Sequence, residues 1–451
     1  MAAHPAPAPK ALRGAAISMR GDPFAQEPRH CLLHEADALV LIEGGRITRF
    51  GPFHALRDDL PVGTELVEYP DAILCPGFVD AHVHYPQLGM IGAHGAQLLQ
   101  WLERYTFPTE ARFADPAHCT AVAQAFLREL LRAGTTTAAV YCTVHPQSAD
   151  AFFAESHRFN TRMVAGKVLM DRHAPAALLD TAQRGFDESE ALIRRWHGVG
   201  RQHYGVTPRF APTSTEAQLD AAGALLRAHS DLFLQTHLSE NREEVAWVRE
   251  LFPHCDGYLD VYARAGLVGP RAVFGHGIHV TEAELCTCHG AGAALAHCPT
   301  SNLFLGSGLF RLMDTLDPRR PVRVGLGTDV GAGTSLSQLR TLGEAYKVSQ
   351  LLGRGLDAVQ GFFLATSGGA RALHLDDRIG RLAPGYDADL VVLDPGATPL
   401  LRFRTARCDS LEELLFVLMT LGDERAVRAT WAGGHCVYDR DREGEPFSCP
   451  G

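Results

Sequence analysis

Through the middle of the chain, short apolar or β-branched runs alternate with longer amphipathic stretches. The runs fall at residues 73–84, 135–142, 162–171, 202–210, 232–240, 271–280, 292–302 and 322–333. Their length and flanking turn residues predict strands. The stretches between them, such as AVAQAFLRELLRAG and TEAQLDAAGALLRAHSD, space apolar residues by three and four, and several open on Thr or Asn and close on Gly. That pattern predicts capped helices. Eight strand-helix units in order predict an α/β fold of the (β/α)8 TIM-like barrel type.

The alternation fails at both ends. GAAISM, ALVLIEGGRITRFG, DLVVLDP and RAVRATWAGGHCVYDR read as short strands joined by Gly-rich turns. Two ends of one type flanking a barrel predict a small β-sandwich domain built from both. The expected division is residues 1–75 and 380–451 for the small β domain and 76–379 for the barrel. The start, MAAHPAPAPKALRG, reads as a frayed Ala/Pro-rich tip without the apolar centre of a signal peptide.

Composition narrows the class of function. The formal charge of -10 carries no long like-charge run, so neither a nucleic-acid backbone nor an anionic membrane is the expected partner. No apolar run approaches the roughly 20 residues that span a bilayer. Eleven cysteines without regular spacing read as reduced core thiols of a cytoplasmic protein. Cys286, Cys288 and His289 lack a matching second pair, and read as helix residues more than as a zinc site.

The histidines carry the chemistry. In PGFVDAHVHYPQ (76–87), His82 and His84 are two apart and share one face of a strand. At the C-terminal end of the first barrel strand that face is the mouth, where barrel enzymes place reacting groups. His237 in QTHLSE, His276 in FGHGIHV and Asp329 in GLGTDVGAG reach the same rim from the fifth, sixth and eighth strands. Within FGHGIHV, His279 competes with His276, and the strand-end position favours His276. Neutral imidazoles with one carboxylate suit Zn(II), and the same donors accept Fe(II) or Mn(II). Such an ion makes hydroxide available near neutral pH, so hydrolysis is the expected chemistry. The fourth strand ends in Thr-Pro-Arg209-Phe210, without the lysine that would bridge two metals. Lys167, on the third, reads as structural, so one ion is expected. Glu240, three residues after His237, can face the reacting water as a proton shuttle or serve as a charge at a helix N-terminus. Asp80 reads as a support to the ligands from behind.

These motifs resemble the amidohydrolase superfamily and, within it, the barrel-type guanine deaminases. The resemblance runs in order through PGFVDAHVHYPQ, LLQWLERYTFPTE, AGTTTAAVY, GKVLMD, TPRF, THLSE, GHG, HCPTSNLFLGSG, GLGTDVGAGTS and PGYDADLVVLD. It implies hydrolytic deamination of guanine to xanthine and ammonia by a homodimer with one zinc, or Fe2+, per subunit. His82, His84, His237 and Asp329 match the zinc ligands. Asp329, Glu240 and His276 match the catalytic groups, with Glu240 protonating the purine ring and then the leaving amine. Gln87, Arg209 and the backbone near Phe210 match the purine contacts, and the aromatics Trp101, Tyr105 and Phe107 can sandwich a flat base. Other substrates for the same chemistry are 8-oxoguanine, cytosine or a chlorinated triazine. A deaminase of the HxE…PCxxC type is excluded because that motif does not occur, and a non-catalytic scaffold would not be expected to keep every ligand.

Overall fold

The computed structural model describes residues 8–94 and 97–442. Eight parallel strands form the barrel: β1 (Phe78–His84), β2 (Thr135–Tyr141), β3 (Arg162–Gly166), β4 (His203–Pro208), β5 (Phe233–Leu238), β6 (Ala272–His276), β7 (Ala294–His297) and β8 (Arg323–Leu326). Each pairs with the next in sequence order, and a short Val168–Leu169 strand adds to β4. The seam between β8 and β1 is closed just beyond the end of β8. There Asp329 N donates to His82 O and His84 N donates to Val330 O, both at 2.9 Å.

The helices end where the sequence signals fall. Asn241 and Thr281 each close a capping box, with Glu244 and Glu284 respectively, and Gly292 ends the helix Glu282–Ala291 in the left-handed conformation. Cys286 is exposed and Cys288 buried on that helix, and His289 Nδ1 meets Pro321 O, so the three residues make no metal cluster.

Strand limits are tighter than the expected runs. Ile73–Pro76 belongs to the preceding strand, Glu65–Pro76. The run 292–302 leaves the sheet after His297, where Pro299 opens a helix. The run 322–333 becomes a loop after Leu326.

Both chain ends do meet in one β unit, but as a single mixed sheet and not as two stacked ones. Its order is His435–Asp439, Val427–Ala432, Leu390–Leu393, Glu65–Pro76, Lys10–Met19, Leu32–Glu43, Arg46–Pro52. The sheet curls around one apolar layer that includes Leu12, Val40, Ile47, Leu74, Val392 and Trp431. Its two terminal hairpins touch: a Cβ on Gly45 would lie 3.0 Å from Gly433 O. A curled sheet thus supplies the enclosed layer that a sandwich was expected to provide. Residues 1–7 of the Ala/Pro-rich tip lie outside the described residues, and from Lys10 the chain is already strand.

Two features of the C-terminal stretch are not β. Helices Pro399–Thr405 and Leu411–Leu421 follow the first returning strand, and the second packs Leu415, Leu418 and Met419 into the barrel's outer core with Leu339 and Leu342. In PGYDADLVVLD, Asp387 accepts from Arg162 Nε at 3.0 Å and Asp389 pairs with Arg201, which ties the small sheet to the base of the barrel.

Candidate active site

The strand ends bring His82, His84, His237 and Asp329 together, with one donor atom of each within 4.8 Å of the others. His82 Nε2 and His84 Nε2 lie 3.3 and 3.4 Å from Asp329 Oδ1, and His84 Nε2 faces His237 Nε2 at 3.2 Å. His82, His84 and Asp329 are buried, and His237 is partly buried. Burial draws the imidazoles of His82, His84 and His237 below their ordinary value, so they are neutral at pH 7, the ligating form. Burial opposes the charge of Asp329, but His82 and its neighbours hold that carboxyl well below the usual range.

Local sequence explains the close approach. A Cβ on Gly275 would sit 2.6 Å from His82 Cε1, and one on Gly327 would sit 2.8 Å from His82 Cβ. The glycines of GHG and GLGTD make room for one imidazole. Beneath it, Asp80 Oδ1 accepts from His82 N at 3.2 Å and Thr328 N at 3.0 Å, and Oδ2 accepts from Thr328 Oγ1 at 2.5 Å. Asp80 therefore joins β1 to the loop that carries Asp329, the supporting role expected of it. Burial raises its carboxyl to about 7 despite these donors.

A metal ion fits this donor set. His82 Nε2 has no hydrogen-bond partner although it is buried, and two ring nitrogens, His84 Nε2 and His237 Nε2, face each other at 3.2 Å beside a carboxylate. Nitrogen lone pairs so placed suit a cation between them. Nδ1 of His237 is 2.7 Å from Arg209 O, which keeps the proton there and leaves Nε2 for the ion.

Next to this group, His276 Nε2 lies 3.3 Å from Glu240 Oε2 and 3.7 Å from Asp329 Oδ2. Its Nδ1 faces Asn302 Oδ1 at 2.9 Å. Burial lowers the affinity of His276 for a proton, but Glu240 and Asp329 together outweigh it and raise its pKa. Burial pushes Glu240 up to about 7 against the pull of His276. Ser307 Oγ donates to Glu240 Oε1 at 3.2 Å. His276 and Asp329 both have left-handed backbones, φ 69° and 49°, conformations rare for residues with side chains and concentrated at working sites. His279 turns away, with Nε2 3.0 Å from Ser307 O, and takes no part in the cluster.

A cavity beside the cluster is lined by Gln87, Trp101, Arg209, Phe210 and Glu240 among others. Of the three aromatics singled out in the sequence, Trp101 lines the cavity and Phe107 lies 5.8 Å beneath the Arg209 guanidinium. Tyr105 packs at the margin, beside Arg104. Lys167 is buried between Asp180 and Glu188, at 2.6 and 3.0 Å, a structural ion pair as expected.

Three participants went unassigned in the sequence: Glu110, which holds Gln87 and Arg209; Asn302, which holds His276; and Ser307, which holds Glu240. All three fall inside segments already distinctive by motif, LLQWLERYTFPTE and HCPTSNLFLGSG. The signal available was the acid that closes an aromatic-rich segment and the polar residues after Pro299.

A barrel with histidines and an aspartate gathered at its C-terminal mouth defines a class of hydrolases, and the chain belongs to the amidohydrolase family, whose model matches residues 73–437. Within that family, relatives matched over nearly full length include guanine deaminases. The Escherichia coli guanine deaminase is 47% identical over 433 residues, 96% of this chain and 98% of that protein. A solved structure of the E. coli guanine deaminase matches with a TM-score of 0.93 over 96% of this chain and 100% of that one. A probable guanine deaminase of Deinococcus radiodurans is 41% identical over 440 residues, 96% of this chain and 100% of that protein. A guanine deaminase from C. acetobutylicum, solved with guanine bound in its active site, is 26% identical with a TM-score of 0.85, covering 95% and 100%.

Proposed function

We propose that this chain holds one zinc ion through His82, His84, His237 and Asp329 and hydrolyses guanine to xanthine and ammonia. The observation that carries the reading is that Glu240 and the pair Gln87 and Arg209 line one cavity beside the metal group. The substrate follows from the relatives, one of which binds guanine in its own active site.

When bound, the ion supplies the Lewis acidity that makes water nucleophilic near neutral pH. Arg209 donates to the purine's carbonyl edge, Gln87 holds the same edge, and Trp101 and Phe210 enclose the ring and exclude bulk water. Glu240 gives its proton to the ring nitrogen beside the carbon under attack. Asp329 takes one proton as water adds to that carbon; as the C–N bond breaks, the adduct's hydroxyl proton passes through Glu240 to the amine, which leaves as ammonia, and the proton on Asp329 returns to Glu240. His276, held through Nδ1 by Asn302, keeps Nε2 directed at the carboxylates and the reacting oxygen.

No helix among the described residues is long and apolar enough to cross a membrane. The same proposal places the chain in the cytoplasm as a homodimer. Cys31, Cys75, Cys119, Cys142, Cys255, Cys286, Cys288, Cys298 and Cys408 are free thiols, which suits a reducing compartment. Sedimentation tests the dimer.

The test of activity follows ammonia release and the ultraviolet spectrum of guanine with zinc-loaded protein, beside adenine, cytosine, 8-oxoguanine and a triazine. Xanthine formation is expected. Intact guanine with turnover of another heterocycle would overturn the substrate while leaving the site standing.

A further inference from the structure

We infer that Glu110 is a positioning residue that fixes how the cavity reads the lactam edge of a purine, an inference that rests on the guanine reading above. Glu110 is 0% exposed. Its Oε1 accepts from Gln87 Nε2 at 2.9 Å and its Oε2 accepts from Arg209 Nη1 at 2.7 Å. A carboxylate at this depth is stable only if charge and hydrogen bonds compensate it, and both come here from two side chains that line the substrate cavity. Each oxygen holds a group from a different part of the barrel, since Gln87 follows β1 and Arg209 follows β4.

The arrangement determines what those groups present. Gln87 Oε1 accepts from Gly331 N at 3.2 Å, so its amide is oriented from both ends, nitrogen toward Glu110 and oxygen toward Gly331. Arg209 commits one nitrogen to Glu110, and its other N–H groups can only donate. This wall of the cavity is therefore biased toward donors. It suits a ring carbonyl and disfavours an amino group in the same place. Phe107, under the guanidinium, lies in the helix Phe107–Ala111 that also carries Glu110, so one short segment supplies both the stacking surface and the anchor.

The test is Glu110→Gln in the zinc-loaded full chain, which keeps side-chain length but turns one acceptor into a donor. Hypoxanthine is the binding probe, because it has the same lactam edge and no amino group to lose; 2,6-diaminopurine, with an amino group in place of the carbonyl, is the competing substrate. The expected result is a Kd for hypoxanthine weaker by about tenfold or more, a parallel rise in KM for guanine, a smaller change in kcat, and a narrowed preference for guanine over 2,6-diaminopurine. Zinc content stays at the level of the unaltered protein. Unchanged hypoxanthine binding and preference overturn the inference, as does a loss confined to kcat. If Glu110→Gln does not fold, Glu110→Asp takes its place: one methylene shorter, it cannot reach both partners, and unaltered binding and preference in it are equally fatal. Failure of the unaltered protein to deaminate guanine would overturn the function itself. Intact turnover with an indifferent Glu110 variant overturns the Glu110 assignment alone.

Discussion

The main-chain carbonyl of Arg209 lies 2.7 Å from Nδ1 of His237, while the guanidinium of the same residue lines the substrate cavity. One residue thus sets the tautomer of a proposed metal ligand and faces the proposed substrate cavity. The end of β4 couples the two halves of the site through a single peptide unit, so displacement of the Arg209 backbone is felt at both.

Glu240→Gln separates chemistry from assembly. The amide keeps the size of the side chain and can still accept from Ser307, but it cannot carry a proton to the substrate. Deamination is expected to fall by about 10²- to 10⁴-fold, with zinc content and KM close to those of the unaltered protein. Steady-state kinetics beside metal analysis checks it, and near-normal turnover would remove Glu240 from the reaction.

Gly275→Ala tests the packing that admits His82. The added methyl would lie 2.6 Å from His82 Cε1, closer than any relaxed contact, so the imidazole must move away from Asp329. The variant is expected to lose zinc to a chelator at lower concentration than the parent, and to regain activity when zinc is supplied in excess. Equal retention by the two proteins would show that the ring has somewhere to go.

Asp80 is the point where β1 is fastened to the loop after β8. Asp80→Ala strips the acceptor from Thr328 and from His82 N in the buried seam, at a cost of about 2–4 kcal/mol, and thermal unfolding should shift downward with zinc affinity. Asp80→Asn still offers one acceptor and can donate to the Thr328 hydroxyl. It should be the milder of the two, and the reverse order in thermal scans would contradict the hydrogen-bond account.

Acid sensitivity should trace in part to His203, far from the metal group. Burial, aided by the Arg162 cation, lowers its pKa to about 3, and Arg162 Nη1 lies 2.9 Å from its Nε2. The folded form keeps this ring neutral while the unfolded chain takes up a proton below about pH 6.5. Stability present above that pH is therefore lost as pH falls toward 3, at about 1.4 kcal/mol per unit for this one group. In His203→Gln, the drop in unfolding temperature between pH 7 and pH 5 should shrink. An unchanged drop would assign the acid sensitivity elsewhere.

What could be seen in the sequence divides along physical lines. His82 and His84 were legible because a strand has period two, so their shared face follows from spacing alone. The strand-end places of His237, His276 and Asp329 followed once the eight runs were counted. Glu110, Asn302 and Ser307 were not legible, because each acts through hydrogen bonds to residues 23 or more positions away, and no local pattern encodes such a pairing. The curled sheet was legible as strands but not as one layer, since the order of pairing depends on long-range register. The helix Leu411–Leu421 was missed because its run of large apolar residues was read in a tail otherwise patterned as strands. Its Ser410 cap, with the side chain accepting from Glu413 N, was the available sign.

The strand Glu65–Pro76 pairs on one side with Lys10–Met19 and on the other with Leu390–Leu393, which lies beyond the whole barrel. On a ribosome the first neighbour is in place early, and the second has not yet been made while all eight barrel strands emerge. Until then one edge of that strand is open, a ready template for pairing with another nascent chain. The strand β1 follows this strand after Gly77, whose N donates to Asp389 O at 2.9 Å, so the returning segment also braces the base of β1. A chain truncated before residue 390 carries every proposed ligand yet leaves that edge without its partner.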